Sequence, residues 1–275
     1  MRILIILTII MAFANASKLF EEFKKLVPSF ATGYIIKGVE ANPHSAPYIV
    51  SLSRKATDHS HICGGTLISK EWIITAGHCI SEPVGMGAIA GLHTRTTVDE
   101  KTQSRIVDFG LVHKSFNGSV GPFDIAILHT SEAFLINQWV QPAALPHREE
   151  IHSGETHLYG WGQTKAWGFS GPKSLHTVQT EVIDWNECKD IVPADAPLQE
   201  SNICTTSHQK GISACNGDSG GPLVQQHEGA PSEIIGIVSW GFIPCGYGNM
   251  PSIYTRVSAY LDWISDLQSS YYKLF

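Results

Sequence analysis

The chain has 275 residues, 43% of them hydrophobic, enough for one large or two modest domains with a real core. Charged residues make up only 16%, and the formal net charge of -6 is mildly acidic. The 19 Lys and Arg are scattered, with no basic stripe and no interleaved aromatic platform, which argues against a nucleic-acid binder.

Met1 to Ala16 carries Arg2, an apolar run from Ile3 to Phe13 and then Ala14-Asn15-Ala16. Charge, short apolar core and small residues in that order predict a secretory signal cut after Ala16. The run is too short to span a bilayer, and no later stretch is long enough, so a soluble, secreted, extracellular product without membrane association is expected. All six cysteines lie beyond it, and an even number in an oxidising compartment argues for disulfides while leaving the pairing open. Neither a paired Cys-x-x-Cys nor a His-x-x-x-His occurs, so zinc is not expected.

Ser17 to Tyr34 places Leu19, Phe20, Phe23, Leu26 and Val27 at helical spacing before Pro28, which predicts a short amphipathic turn in a removable pro-segment, 17–34. From Ile35 the pattern changes, and with 25 Gly and 14 Pro in the chain, short apolar runs between turns predict an all-β body. The runs are Tyr48 to Leu52, Ile62 to Ile68, Trp72 to Ala76, Ile106 to His113 and Ile125 to His129, with Thr57 to Ser60 and Glu82 to Gly87 read as turns. Trp139 to His147 is rich in proline, alanine and polar residues and marks a crossover between halves. Further runs follow at His157 to Trp161, Leu175 to Ile183, Pro222 to Gln226 and Glu233 to Ser239. At the end Val257, Tyr260, Leu261, Ile264 and Leu267 share one face of a helix. Closing each strand set on itself removes exposed edges, so the expected fold is two antiparallel six-stranded β-barrels with a C-terminal helix. A cleft between them would be fed by loops of both.

Three short stretches carry chemistry. Thr75-Ala76-Gly77-His78-Cys79 sets a histidine in a tight segment, and a bridge between Cys63 and Cys79 would staple that segment to the preceding strand. Phe123-Asp124-Ile125-Ala126-Ile127-Leu128 heads an apolar strand with one acid, which must receive hydrogen bonds if it is buried. Gly217-Asp218-Ser219-Gly220-Gly221-Pro222 clears space around one hydroxyl, where the amides of Gly217 and Ser219 can converge.

In this order the three motifs resemble the trypsin and chymotrypsin family of secreted serine proteases. The likeness runs from about Ile35 to Leu267 and includes Cys63-Gly64-Gly65-Thr66-Leu67-Ile68, Gly160-Trp161-Gly162 and Ser239-Trp240-Gly241. The resemblance implies that Ser219 is the nucleophile, His78 its general base, and Asp124 the group that holds the reactive tautomer. Gly217 and Ser219 would form an oxyanion hole worth roughly 3 to 4 kcal/mol per donor. Ser239 would support Asp124, and Ser239, Trp240 and Gly241 would offer backbone partners to an extended substrate. The implied disulfides are Cys63 to Cys79, Cys188 to Cys204 and Cys215 to Cys245.

The family also implies activation by cleavage before Ile35, whose new ammonium would pair with Asp218. Tyr34 stands at that cut, where many relatives carry arginine or lysine, so an activator preferring aromatic residues, or self-activation, is expected. Ser213 would form the pocket base, with Ala214 beside it, Gly241 leaving the wall open and Ser252 shortening it. Without a carboxylate at Ser213, the pocket is expected to take apolar or aromatic side chains. Leu92 stands where a first calcium ligand would be, and Asp99 and Glu100 read as solvated charges, so no metal and no cofactor are expected. Asn117-Gly118-Ser119 is a glycosylation acceptor pattern. The expected partners are polypeptide substrates and protein inhibitors of a monomeric enzyme. A short pro-segment without accessory domains favours a digestive role over a cascade protease with one partner, or over a protease-fold protein that binds carbohydrate or protein.

Overall fold

The computed structural model describes Ile35 and residues 38–163, 171–207, 211–248 and 250–274. The expected signal at 1–16 and pro-segment at 17–34 lie outside the described residues.

A two-residue strand, β1 (Val39–Glu40), precedes the first barrel. That barrel comprises β2 (Ile49–Ser53), β3 (Cys63–Leu67), β4 (Trp72–Thr75), β5 (Gly87–Ala90), β6 (Gln103–Val112) and β7 (Ala126–Thr130), closed in the order β2-β3-β4-β7-β6-β5. The second comprises β8 (Gly154–Gly160), β9 (His176–Ile183), β10 (Asn202–Thr206), β11 (Pro222–Gln225), β12 (Glu233–Trp240) and β13 (Ser252–Arg256). It runs β9-β10-β13-β12-β11-β8 and closes through the β8–β9 pairing, with β1 added on β9. Both barrels are antiparallel throughout, as the apolar runs predict.

Period-two geometry explains why several of these strands look apolar without interruption. Val50, Leu52, Ile73, Ala88, Ala90 and Leu128 pack into one cluster of the first barrel. Their chain neighbours Ile49, Ile74, Ile89 and Ile127 join another, shared with Tyr159, Trp161, Val224, Ile234, Ile237, Tyr260 and Ile264. Each strand therefore buries both faces, one within its barrel and one against the second barrel and the terminal helix. Ile35 is fully buried in the second barrel's own cluster with Leu158, Val178, Ile203, Leu223, Ile235, Val238 and Tyr254.

The C-terminal periodicity resolves into a 3-10 turn, Val257–Tyr260, followed by an α-helix longer than the pattern showed, Leu261–Leu274. Its last turns reach the first barrel, where Trp72 Nε1 donates to Tyr272 Oη at 3.1 Å and Tyr271 sits edge-on to Trp72. A shorter helix, Trp185–Ile191, begins where Asp184 accepts the Asn186 amide at 2.8 Å. The bonded cysteine pairs are Cys63–Cys79, Cys188–Cys204 and Cys215–Cys245.

Backbone meets backbone where the barrels face each other. The Gly64 amide donates to the Ser219 carbonyl at 2.8 Å, and Thr75 Oγ1 donates to the Gly64 carbonyl at 2.8 Å. Gly220, at φ 74°, lies so close that a Cβ would sit 2.2 Å from Thr75 Oγ1 and 2.5 Å from the Gly64 carbonyl. Gly220→Ala combines a left-handed backbone with this clash, and we expect it to cost about 3 kcal/mol or more. A urea unfolding midpoint unchanged by that substitution would contradict this packing.

Candidate active site

His78 lies in a single 3-10 turn, Gly77–Cys79, directly after β4, and the Cys63–Cys79 bond ties that turn to β3. A Cβ on Gly77 would come within 3.3 Å of Asp124 Oδ1, so glycine there lets the acid approach. Asp124 is 2% exposed at the head of β7. Its Oδ1 accepts the His78 amide at 2.9 Å, and its Oδ2 accepts His78 Nδ1 at 2.7 Å and Ser239 Oγ at 2.6 Å. Its own carbonyl accepts Thr255 Oγ1 at 2.8 Å. As the acceptor at Nδ1, the carboxylate fixes the hydrogen of His78 on that nitrogen. The lone pair is then on Nε2, on the side of the ring away from Asp124.

Ser219 is on the turn before β11 and shares a cleft of about 410 Å³ with His78, Ala214, Ser239, Trp240 and Gly241. Among the described residues Ser219 and His78 are not hydrogen-bonded to each other. Gly217, at φ 95°, and Gly220 shape the turn. Among the described residues, no protein acceptor takes the Gly217 or Ser219 amide.

Ser213 and Ser252 are buried beside Ala214, which lines the cleft. Ser213 Oγ donates to the Ala214 carbonyl at 2.6 Å, Ser252 Oγ accepts the Ala214 amide at 3.0 Å, and the two hydroxyls are 3.2 Å apart. A Cβ on Gly241 would meet nothing within 4 Å, so that wall is open. Trp240 and Phe242 line the cleft edge-to-face, with centroids 5.9 Å apart.

Asp218 is fully buried, with Oδ1 accepting the Gly162 amide at 2.8 Å and Oδ2 the Cys215 amide at 2.9 Å. Desolvation pushes its pKa up to about 7, against the pull of those two amides. Among the described residues no cation pairs with it. Tyr254, which feels the Asp218 charge, belongs to the cluster that holds Ile35.

Sequence reasoning passed over one side chain that supports the turn. His61 Nε2 bonds the Gly217 carbonyl at 2.9 Å, its Nδ1 bonds Ser51 Oγ at 2.8 Å, and its ring sits edge-on to Trp161 at 5.3 Å. A carbonyl only accepts, so Nε2 carries the hydrogen and Ser51 donates to Nδ1. Burial lowers the His61 pKa to about 4, so the ring is neutral in neutral solution. A lone histidine ahead of an apolar strand carries no local signal of this contact, which spans 156 residues of sequence.

The family model described as Trypsin matches residues 35–264. Lectizyme of Glossina austeni is 38% identical over 256 residues, covering 90% of this chain and 91% of that protein. Kallikrein-11 of Mus musculus is 33% identical, covering 85% and 82%. The solved structure of neuropsin, a serine protease expressed in the limbic system of mouse brain, superposes with a TM-score of 0.74 at 26% identity, covering 84% of this chain and 99% of that one. The chain belongs to the trypsin family of serine proteases.

His61 is a positioning residue, since it touches the Gly217 carbonyl and not the cleft serine. His61→Ala should leave that carbonyl unpaired and lower peptidase kcat about tenfold, with KM for a small substrate nearly unchanged. An unaltered kcat, or a loss confined to KM, would show that the contact does not shape the turn.

Proposed function

We propose that this protein is a secreted serine endopeptidase made as a zymogen, which cleaves after apolar or aromatic residues through an acyl-enzyme. The observation that carries the reading is the Asp124 carboxylate, bonded at once to His78 Nδ1 and Ser239 Oγ in the wall of the cleft that holds Ser219. In the proposed reaction His78 Nε2 takes the Ser219 hydroxyl proton as Oγ attacks the peptide carbonyl, then gives that proton to the leaving amine. The Gly217 and Ser219 amides receive the oxyanion, and water releases the acyl group by the reverse sequence.

The pocket floor supports the preference. Ser213 stands where trypsins carry an aspartate, so a lysine or arginine side chain would lose water without gaining a counter-charge. Ser252 shortens the pocket, which favours leucine, methionine or smaller side chains over tryptophan. A digestive role fits a broad apolar specificity.

Ser219→Ala should lower kcat/KM by about four orders of magnitude or more, and a serine-directed phosphonate should label Ser219 in the wild type alone. A processed protein that resists labelling would mark a binder on a protease fold. Among para-nitroanilides ending in phenylalanine, leucine, alanine and arginine, the arginine substrate should be the poorest; a preference for it would overturn the pocket assignment.

Activation rests on the two buried groups Ile35 and Asp218. Cleavage after Tyr34 frees an ammonium at Ile35, and we assign Asp218 as its partner. The sign of the pH effect follows from the raised carboxyl pKa. In the uncleaved chain, native Asp218 holds a proton between about 4 and about 7 that the unfolded chain has released, so stability falls as pH rises through that window. A paired ammonium lowers this pKa and removes the fall. Thermal midpoints of cleaved and uncleaved protein should therefore separate most above about pH 7. Parallel curves, or an active form that begins elsewhere than Ile35, would rule the pairing out.

A further inference from the structure

The acceptor pattern Asn117-Gly118-Ser119 is in the loop between β6 and Asp124, outside the machinery described above. The loop is anchored at its root and open at its tip. At the root the His113 ring stacks on Phe123 with centroids 5.0 Å apart, and His113 also accepts the Phe116 and Ser115 amides. At the tip Asn117, Gly118, Ser119 and Val120 are all exposed, and a Cβ built on Gly118 meets nothing within 4 Å. The Asn117 carboxamide oxygen accepts the Ser119 amide at 2.9 Å, so its nitrogen is the end left for chemistry. The next three residues, Gly118, Ser119 and Val120, line the same cleft as His78, Ser219, Trp240 and Ile243.

We propose that Asn117 carries an N-linked oligosaccharide at the rim of the cleft, and that this glycan is a size filter which admits short extended peptides and slows folded proteins. The filter rests on the protease reading above and on passage through a secretory pathway. The donor is an oligosaccharide linked to a lipid diphosphate. The Asn117 amide nitrogen attacks the anomeric carbon, the carbon–oxygen bond to the diphosphate breaks, the lipid diphosphate leaves, and the nitrogen gives up one proton.

The filter follows from where contact must be made. A short peptide needs only the cleft floor and the backbone of Ser239 to Gly241. A folded substrate or inhibitor must bring its body over the rim, where Val120 is 55% and Ile243 78% exposed. A hydrated, mobile oligosaccharide rooted three residues from Val120 covers that approach, and confining it opposes association. The effect therefore belongs in the association rate of large partners and not in the turnover of small ones.

The test uses the full chain secreted from a eukaryotic host and processed, as wild type and as Asn117→Gln, with a third sample of wild type stripped by a peptide N-glycosidase. Intact mass should show an oligosaccharide on the wild type alone. All three forms should turn over a short para-nitroanilide peptide equally. Association with a Kunitz-type inhibitor, followed by surface plasmon resonance, should rise about tenfold in the variant and the stripped protein. An unmodified Asn117, or equal association rates in all three forms, would overturn the proposal. Inactivity of every form towards the peptide would instead overturn the protease reading, while mass and binding rates would still judge the filter.

Discussion

A carboxylate buried between two barrels is the constraint on which the remaining geometry depends. Asp124 belongs to the first barrel by chain, yet Ser239 and Thr255, which bond its side chain and its carbonyl, are on β12 and β13 of the second. Removing a charge from water costs several kcal/mol unless hydrogen bonds replace hydration, and here the replacement comes from both halves of the molecule. A displacement of one barrel against the other would strip donors from a buried anion. The carboxylate they hold is the acceptor that keeps the His78 hydrogen on Nδ1, so the second barrel steadies the group that orients the imidazole.

Asp218 presents the opposite case. It is buried as completely as Asp124, but two backbone amides are its bonds among the described residues. Burial raises its pKa, and the two amides only partly offset this. Such a group is partly protonated near neutral pH, and on the proposed activation an ammonium beside it would hold it ionised. Gly160 and Gly162 leave it space, since a Cβ on either would lie 2.1 to 2.3 Å from its carboxylate or its carbon. His61 holds the far side of the same turn through the Gly217 carbonyl. The turn is thus held from the first barrel at the Gly217 carbonyl while its acid is held by backbone amides of the second.

What was legible in the sequence depended on the range of the interaction. Both barrels show in the apolar runs because strands such as β2, β4 and β7 bury both faces, and the motifs of His78, Asp124 and Ser219 show because they are local. The missed strands have local reasons as well. β5 is Gly87-Ala88-Ile89-Ala90, too small and too glycine-rich to register as apolar, and it begins where the sequence suggests a turn. β10 and β13 are rich in threonine, serine and asparagine whose hydroxyls and amides are satisfied inside, as Thr205 is by Tyr254 and Asn202 by the Tyr254 carbonyl. Pattern reading counts such residues as surface. The His61 contact and the Thr255 clamp join residues 156 and 131 positions apart, and no local pattern encodes a meeting that only the folded barrels create.

The hydrogen bonds around Ser213 and Ser252 show how buried polar atoms can be closed to a partner. Ser213 gives its hydrogen to the Ala214 carbonyl, so at the 3.2 Å contact between the two hydroxyls Ser252 must be the donor, while it also accepts the Ala214 amide. Both hydroxyl hydrogens are then spent within the protein. A polar substrate group entering there would have to displace one of these bonds to gain its own, which returns little net energy. An apolar side chain displaces only water and leaves the closed network intact. On the proposed reading the serines would limit the depth of the pocket without adding affinity for charge.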